Sequence, residues 1–91
     1  MIEETETPQR QDGYRLEMIE GEALIFHPGQ TKILYLNPSA SVIWQLCDGQ
    51  RTVGEITALL NDAYPDAARD IGGDVESTLE KLENHGAITL D

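Results

Sequence analysis

The chain has 91 residues, one cysteine, two histidines and a formal net charge of −11. That length supports one domain with one modest core and leaves no room for a second. A nucleic-acid surface needs a basic footprint to release phosphate counterions; this chain has the opposite sign, which argues against DNA or RNA binding.

The acid is unevenly spread. Residues 55–91 carry −7 of it, with Arg69 and Lys81 as their only cations. Such a half suits a basic peptide or a basic patch on a partner, and it also keeps a small protein dissolved. A single thiol, Cys47, cannot form an internal disulfide, so nothing indicates an oxidising compartment. The opening MIEETETPQRQDG is acidic and lacks the apolar segment of a signal or transit peptide. No apolar run approaches the roughly 20 residues that span a bilayer. A cytoplasmic monomer with no membrane partner is expected.

Residues 1–13 are polar and read as a flexible acidic tail, leaving residues 14–91 as the folded domain. From Tyr14 the apolar period is near two. Tyr14, Leu16 and Met18 alternate with Arg15 and Glu17, and Gly21 breaks the run. Ala23 to His27 is a second apolar run, and His27-Pro28-Gly29-Gln30 is a turn signal. Thr31 to Leu36 is a third run, rich in β-favouring residues. It sets Ile33 and Tyr35 on one face and Leu34 and Leu36 on the other, which predicts that neither face is fully wet. Three short antiparallel strands follow from this.

From Pro38 the pattern turns helical. Asn37 can cap and Pro38 occupies the first helical position, where a missing N–H costs nothing. Val42, Ile43, Trp44, Leu46 and Cys47 are apolar nearly all round, so this helix should be central, ending before Gly49. Thr52-Val53-Gly54-Glu55 is a capping box for a second helix, with Ile56, Leu59, Leu60 and Ala63 facing inward and a stop at Tyr64-Pro65. Asp66 to Gly73 reads as a charged loop closed by Gly72-Gly73. A third helix is expected from Asp74, with Val75, Leu79 and Leu82 as its stripe and Gly86 as its end. Ala87 to Leu90 could add a last strand. The expected fold class is α+β: a winged-helix-like domain with a three-stranded antiparallel sheet followed by three helices.

Catalytic chemistry finds little support. His27 sits in a turn and His85 in the last turn of the third helix, where a cation is favoured. Neither has a second metal ligand at a useful spacing, and both read as solvent-facing structural residues. Cys47 lies on an apolar helix face with no His or Lys beside it in sequence, so a buried, inert thiol is expected. Gly72-Gly73 is followed by no Gly-Lys-Ser/Thr, so there is no phosphate loop. Glu76, Glu80 and Glu83 line one side of the third helix, either as a solvated face or as a dock for a basic partner. No catalytic residue, metal site or organic cofactor is expected.

The stretch LNPSASVIWQLCDGQRTVGEI, Leu36 to Ile56, adds a more specific signal. Leu36-Asn37 before a helix with Ala40, then Leu46-Cys47-Asp48-Gly49, then Arg51-Thr52-Val53 and Glu55-Ile56, form an ordered set. Ala63-Tyr64-Pro65, Asp74-Val75, Leu79, Leu82, Gly86 and Ile88 continue it. This set resembles the PqqD family, small proteins that act in pyrroloquinoline quinone biosynthesis and in other ribosomal-peptide modification systems. The resemblance spans Tyr14 to Leu90. It implies a peptide-recognition module that binds a precursor's leader antiparallel to the third strand, in the groove beside the third helix. It also implies a radical-SAM or other peptide-modifying enzyme as partner.

Carried onto this chain, the pairing strand is Thr31, Lys32, Ile33, Leu34, Tyr35 and Leu36, and the helical wall is Val75, Thr78, Leu79 and Leu82. The physical reading agrees: an edge strand offers free amides and carbonyls to an extended peptide, and side chains beside it select the sequence. The competing reading is a winged-helix DNA-binding regulator, which the charge opposes.

Overall fold

The structure is a computed structural model that describes residues 2–91. In chain order it contains β1 (Pro8–Arg10), β2 (Arg15–Ile19), β3 (Glu22–Phe26), β4 (Ile33–Leu36), α1 (Pro38–Leu46), α2 (Val53–Ala63), a 3-10 turn (Pro65–Ala67), α3 (Ala68–His85) and β5 (Ile88–Leu90). Strands β2, β3 and β4 form an antiparallel sheet with β3 in the middle, and β1 pairs antiparallel with β5 in a second, two-stranded sheet.

Local sequence explains the turns and caps. Ile19 pairs with Glu22, which leaves Glu20 and Gly21 as a two-residue hairpin turn. Both have left-handed φ, 52° and 82°, the type I′ geometry whose twist matches that of the strands it joins. Between β3 and β4 the Gln30 amide donates to the His27 carbonyl at 2.9 Å, and the Gly29 amide donates to His27 Nδ1 at 3.0 Å. The Asn37 side chain accepts from the Ala40 amide at 2.8 Å to start α1. Thr52 and Glu55 form the reciprocal capping box of α2, at 3.1 and 2.9 Å. Gly86, with φ 85°, follows the last residue of α3 in the left-handed conformation.

The core lies between the inner face of the larger sheet and the three helices. Ala23, Ile25 and Leu36 meet Ala40, Ile43 and Trp44 of α1, with Ile56 and Leu60 of α2 and Ile71, Val75, Leu79 and Leu82 of α3 closing around them. On α3 these residues recur at i, i+4, i+8 and i+11, the stripe a helix buries when it packs on a core.

Four expectations are corrected. On α2, Leu59 is 43% exposed and Ala63 is exposed, so its inward residues are Val53, Ile56 and Leu60. Asp66 to Gly73 is not a loop: α3 begins at Ala68, and Gly72 and Gly73 lie within it. Both glycines are exposed there, so the first turns of α3 rest on the burial of Ile71 rather than on helix propensity. Residues 1–13 are not wholly a tail, because Pro8–Arg10 form β1 and Pro8 is among the fully buried side chains. The carbonyls of Glu6 and Glu4 also accept from the Val53 and Gly54 amides, at 2.9 and 3.0 Å, so this segment satisfies free donors at the start of α2. Finally, both histidines are half-buried rather than solvent-facing, and Nε2 of His85 is enclosed without a hydrogen-bond partner. The His85 ring stands edge-on to Tyr14, with centroids 6.0 Å apart.

Candidate functional site

Strand β4 is an edge. Its register with β3 pairs Phe26 with Ile33, Ile25 with Leu34, Leu24 with Tyr35 and Ala23 with Leu36. The other side of its backbone is left to any strand that approaches. Strand β2 is the second edge of the sheet, but Arg15 and Glu17 project from it among five residues, and charged side chains discourage strand pairing. The four residues of β4 are Ile33, Leu34, Tyr35 and Leu36, and carry no charge.

Beside β4, toward α3, runs a narrow groove of about 90 Å³. Its floor is Leu36, Ala40 and Leu82, all buried. Its α3 wall is Asp74, Ser77, Thr78 and Lys81, spaced i, i+3, i+4 and i+7 along one face. Tyr35 stands on the strand side, and Asn37 and Ser39 close the end at the α1 N-terminus. There the Ser39 hydroxyl donates to the Asn37 carboxamide oxygen at 3.0 Å, which ties down the rim. The groove thus joins an apolar floor to a wall with one carboxylate, one ammonium and two hydroxyls. Its volume of about 90 Å³ suits one small side chain from a strand laid beside β4, over the apolar floor.

The anticipated residues separate into three groups. Ile33, Leu34, Tyr35 and Leu36 form β4, while Thr31 and Lys32 are exposed and precede it. Ile33 and Tyr35 are 53% and 64% exposed, while Leu24, paired with Tyr35 on the same face, is 5% exposed, so the outer face of the sheet is open at β4 and covered at its middle strand. On α3, Thr78 is half-buried on the wall and Leu82 lies in the floor. Val75 and Leu79 are 1% and 0% exposed and line no part of this groove. They belong to the core stripe, one helical position round from the wall. Asp74, Ser77 and Lys81 also line the groove and lie outside the anticipated set, which follows the apolar stripe. The signal that finds them is the flanking row at 74, 77, 78 and 81, polar and directly adjacent to the buried one.

The electrostatics offer no activated group. Burial pushes the Cys47 thiol up to about 12, overriding the smaller downward pull of the Arg10 guanidinium, so it is protonated at neutral pH. The Gln50 amide and the Arg51 guanidinium hold the half-buried Asp48 carboxyl below its ordinary value. The Arg51–Asp48 pair is the one ion pair among the described residues, and it braces the α1–α2 turn away from the groove. No cluster of three or more His, Cys, Asp or Glu side chains is placed to hold a metal ion among the described residues. No helix among them is long and apolar enough to cross a membrane.

Comparison with known proteins gives a consistent answer. The family model described as coenzyme PQQ synthesis protein D (PqqD) matches residues 22–88. A PqqA binding protein of Pseudomonas fluorescens (strain Pf0-1) is 34% identical over 93 residues, covering 99% of this chain and 98% of its own. A PqqA binding protein of Rahnella aquatilis is 36% identical over 92 residues, covering 98% and 93%. The solution NMR structure of the PqqD truncation of Methylobacterium extorquens PqqCD, described as a functional, stand-alone RiPP recognition element, superposes with a TM-score of 0.78. That match covers 98% of this chain and 95% of the other at 22% identity. With the fold, the ordered motif set and full-length relatives in agreement, this chain belongs to the PqqD family.

Proposed function

We propose that the protein binds the leader of a ribosomally made precursor peptide by adding it as a fourth strand beside β4, and presents it to a modifying enzyme. The single observation that carries this is an uncharged edge strand running along a groove with an apolar floor. Backbone pairing supplies affinity that does not depend on sequence, and the groove supplies selection. Relatives that align over nearly the whole chain are named for binding PqqA, and a PqqA-type peptide is the first ligand to test.

The peptide runs antiparallel to β4, with one small inward side chain over Leu36 and Leu82 and polar contacts to Asp74, Thr78 and Lys81. The protein performs no chemistry of its own: its one thiol is buried and protonated. The chemistry belongs to the partner, a radical-SAM or other peptide-modifying enzyme in the cytoplasm. The charge of −11 favours a leader with basic residues and disfavours nucleic acid.

The test is a set of PqqA peptides N-methylated at single positions. An added strand points alternate amides at its neighbour, so methylation at one set of alternate residues should abolish binding while the other set tolerates it. Equal tolerance at every position would rule out strand addition.

A further inference from the structure

A second cleft opens between the three helices. It has a volume of about 310 Å³ and is walled by Val42, Leu60, Ile71 and Val75, with Tyr64 at its mouth. Tyr64 is 53% exposed although it ends a helix next to the core. Ser39 and Asp74 line this cleft and also line the groove beside β4. The two depressions therefore meet across one saddle, formed by the first turn of α1 and the Asp74 turn of α3.

We propose that this cleft is a second subsite for the same peptide, taking an apolar side chain from the segment that leaves β4 at its Leu36 end, with a Lys or Arg beside it held at Asp74. The inference rests on the strand-addition reading above and extends it. Leu36 is the last residue of β4 and Asn37 leads directly into α1, so a strand paired with β4 reaches the saddle whichever way it runs. Crossing a helix end about 10 Å wide takes roughly three extended residues. The peptide so recognised has an apolar anchor about three residues outside its strand segment. The charge at the mouth selects its neighbour: Asp74 and Asp70 are exposed one turn apart on α3, a pairing that favours a cation over an acidic or neutral residue.

The probe is the PqqA peptide of Pseudomonas fluorescens Pf0-1, used whole and shortened stepwise from each end, with binding to the full chain read by fluorescence anisotropy. Shortening should leave the strand segment bound but about tenfold weaker once the anchor is lost, the order expected for withdrawing one apolar side chain from contact. The methyl resonances of Val42, Leu60 and Ile71 should shift with the longer peptide and return to their free positions with the shortened one. Tyr64→Ala, at an exposed position, should weaken the whole peptide about fivefold and leave the shortened one unchanged. If the whole peptide binds but those methyls do not move and shortening beyond the strand costs less than twofold, the second subsite is wrong while strand addition stands. If the whole peptide does not bind at all, both fall together.

Discussion

Arg10 closes the C-terminal end of α1. Its guanidinium donates from Nη1 to the Trp44 carbonyl at 3.2 Å and to the Gln45 carbonyl at 2.6 Å, and its backbone amide donates to the Cys47 carbonyl at 3.0 Å. A cation at this end satisfies the Gln45 carbonyl, joins the Cys47 amide as a second donor to the Trp44 carbonyl, and meets the negative end of the helix dipole. The segment that looked like a tail is therefore part of the support for the central helix.

Arg10→Met keeps the aliphatic stem and removes the donors. It should destabilise the protein by about 1–3 kcal/mol, the range for hydrogen bonds to a charged group plus the helix-end charge. Urea denaturation checks this; an unchanged midpoint would show that the contact carries no stability.

Trp44→Ala tests the centrality of α1. Trp44 is buried and edge-on to Tyr14, with ring centroids 6.0 Å apart. Truncation should cost about 3–5 kcal/mol, measured by the same unfolding curves. A variant as stable as the parent would move the core elsewhere.

Cys47 should resist alkylation in the native protein. Burial pushes its thiol up to about 12, so the folded state holds its proton where the unfolded state releases it. The group therefore opposes folding as pH rises: no effect below pH 9, then a stability loss that grows from about pH 9 to about pH 12. A thiol reagent at pH 8 should react only in denaturant. Rapid labelling of the folded protein would contradict the burial.

Much of this architecture was legible because it rests on local chemistry. The Asn37 cap, the Thr52–Glu55 box and the Gly86 stop each concern groups within a few residues of one another, and each forms as written. The period-two runs likewise place β2, β3 and β4. What was not legible depends on distant partners. Pro8–Arg10 has no alternation of its own and becomes a strand only because Ile88–Leu90 pairs with it. Gly72-Gly73 looks like a break, but burial of Ile71 and Val75 on either side carries the helix through it.

For the proposed site, β4 holds four of the anticipated strand residues, and the groove beside it is lined by the α3 row one position round from the anticipated apolar stripe. Val75 and Leu79 are apolar because they are core, and apolarity alone cannot separate a buried stripe from a binding wall. The polar row beside it, Asp74, Ser77, Thr78 and Lys81, faces the groove.

The central claim is tested most directly by an amide chemical-shift titration of the protein with the Pseudomonas fluorescens Pf0-1 PqqA peptide. Strand addition in the groove predicts that the largest changes cluster on Ile33–Leu36 and on Asp74, Ser77, Thr78 and Lys81. Changes confined to the β2 edge, Arg15–Ile19, or to the exposed face of α2 would contradict it, even if the peptide bound tightly.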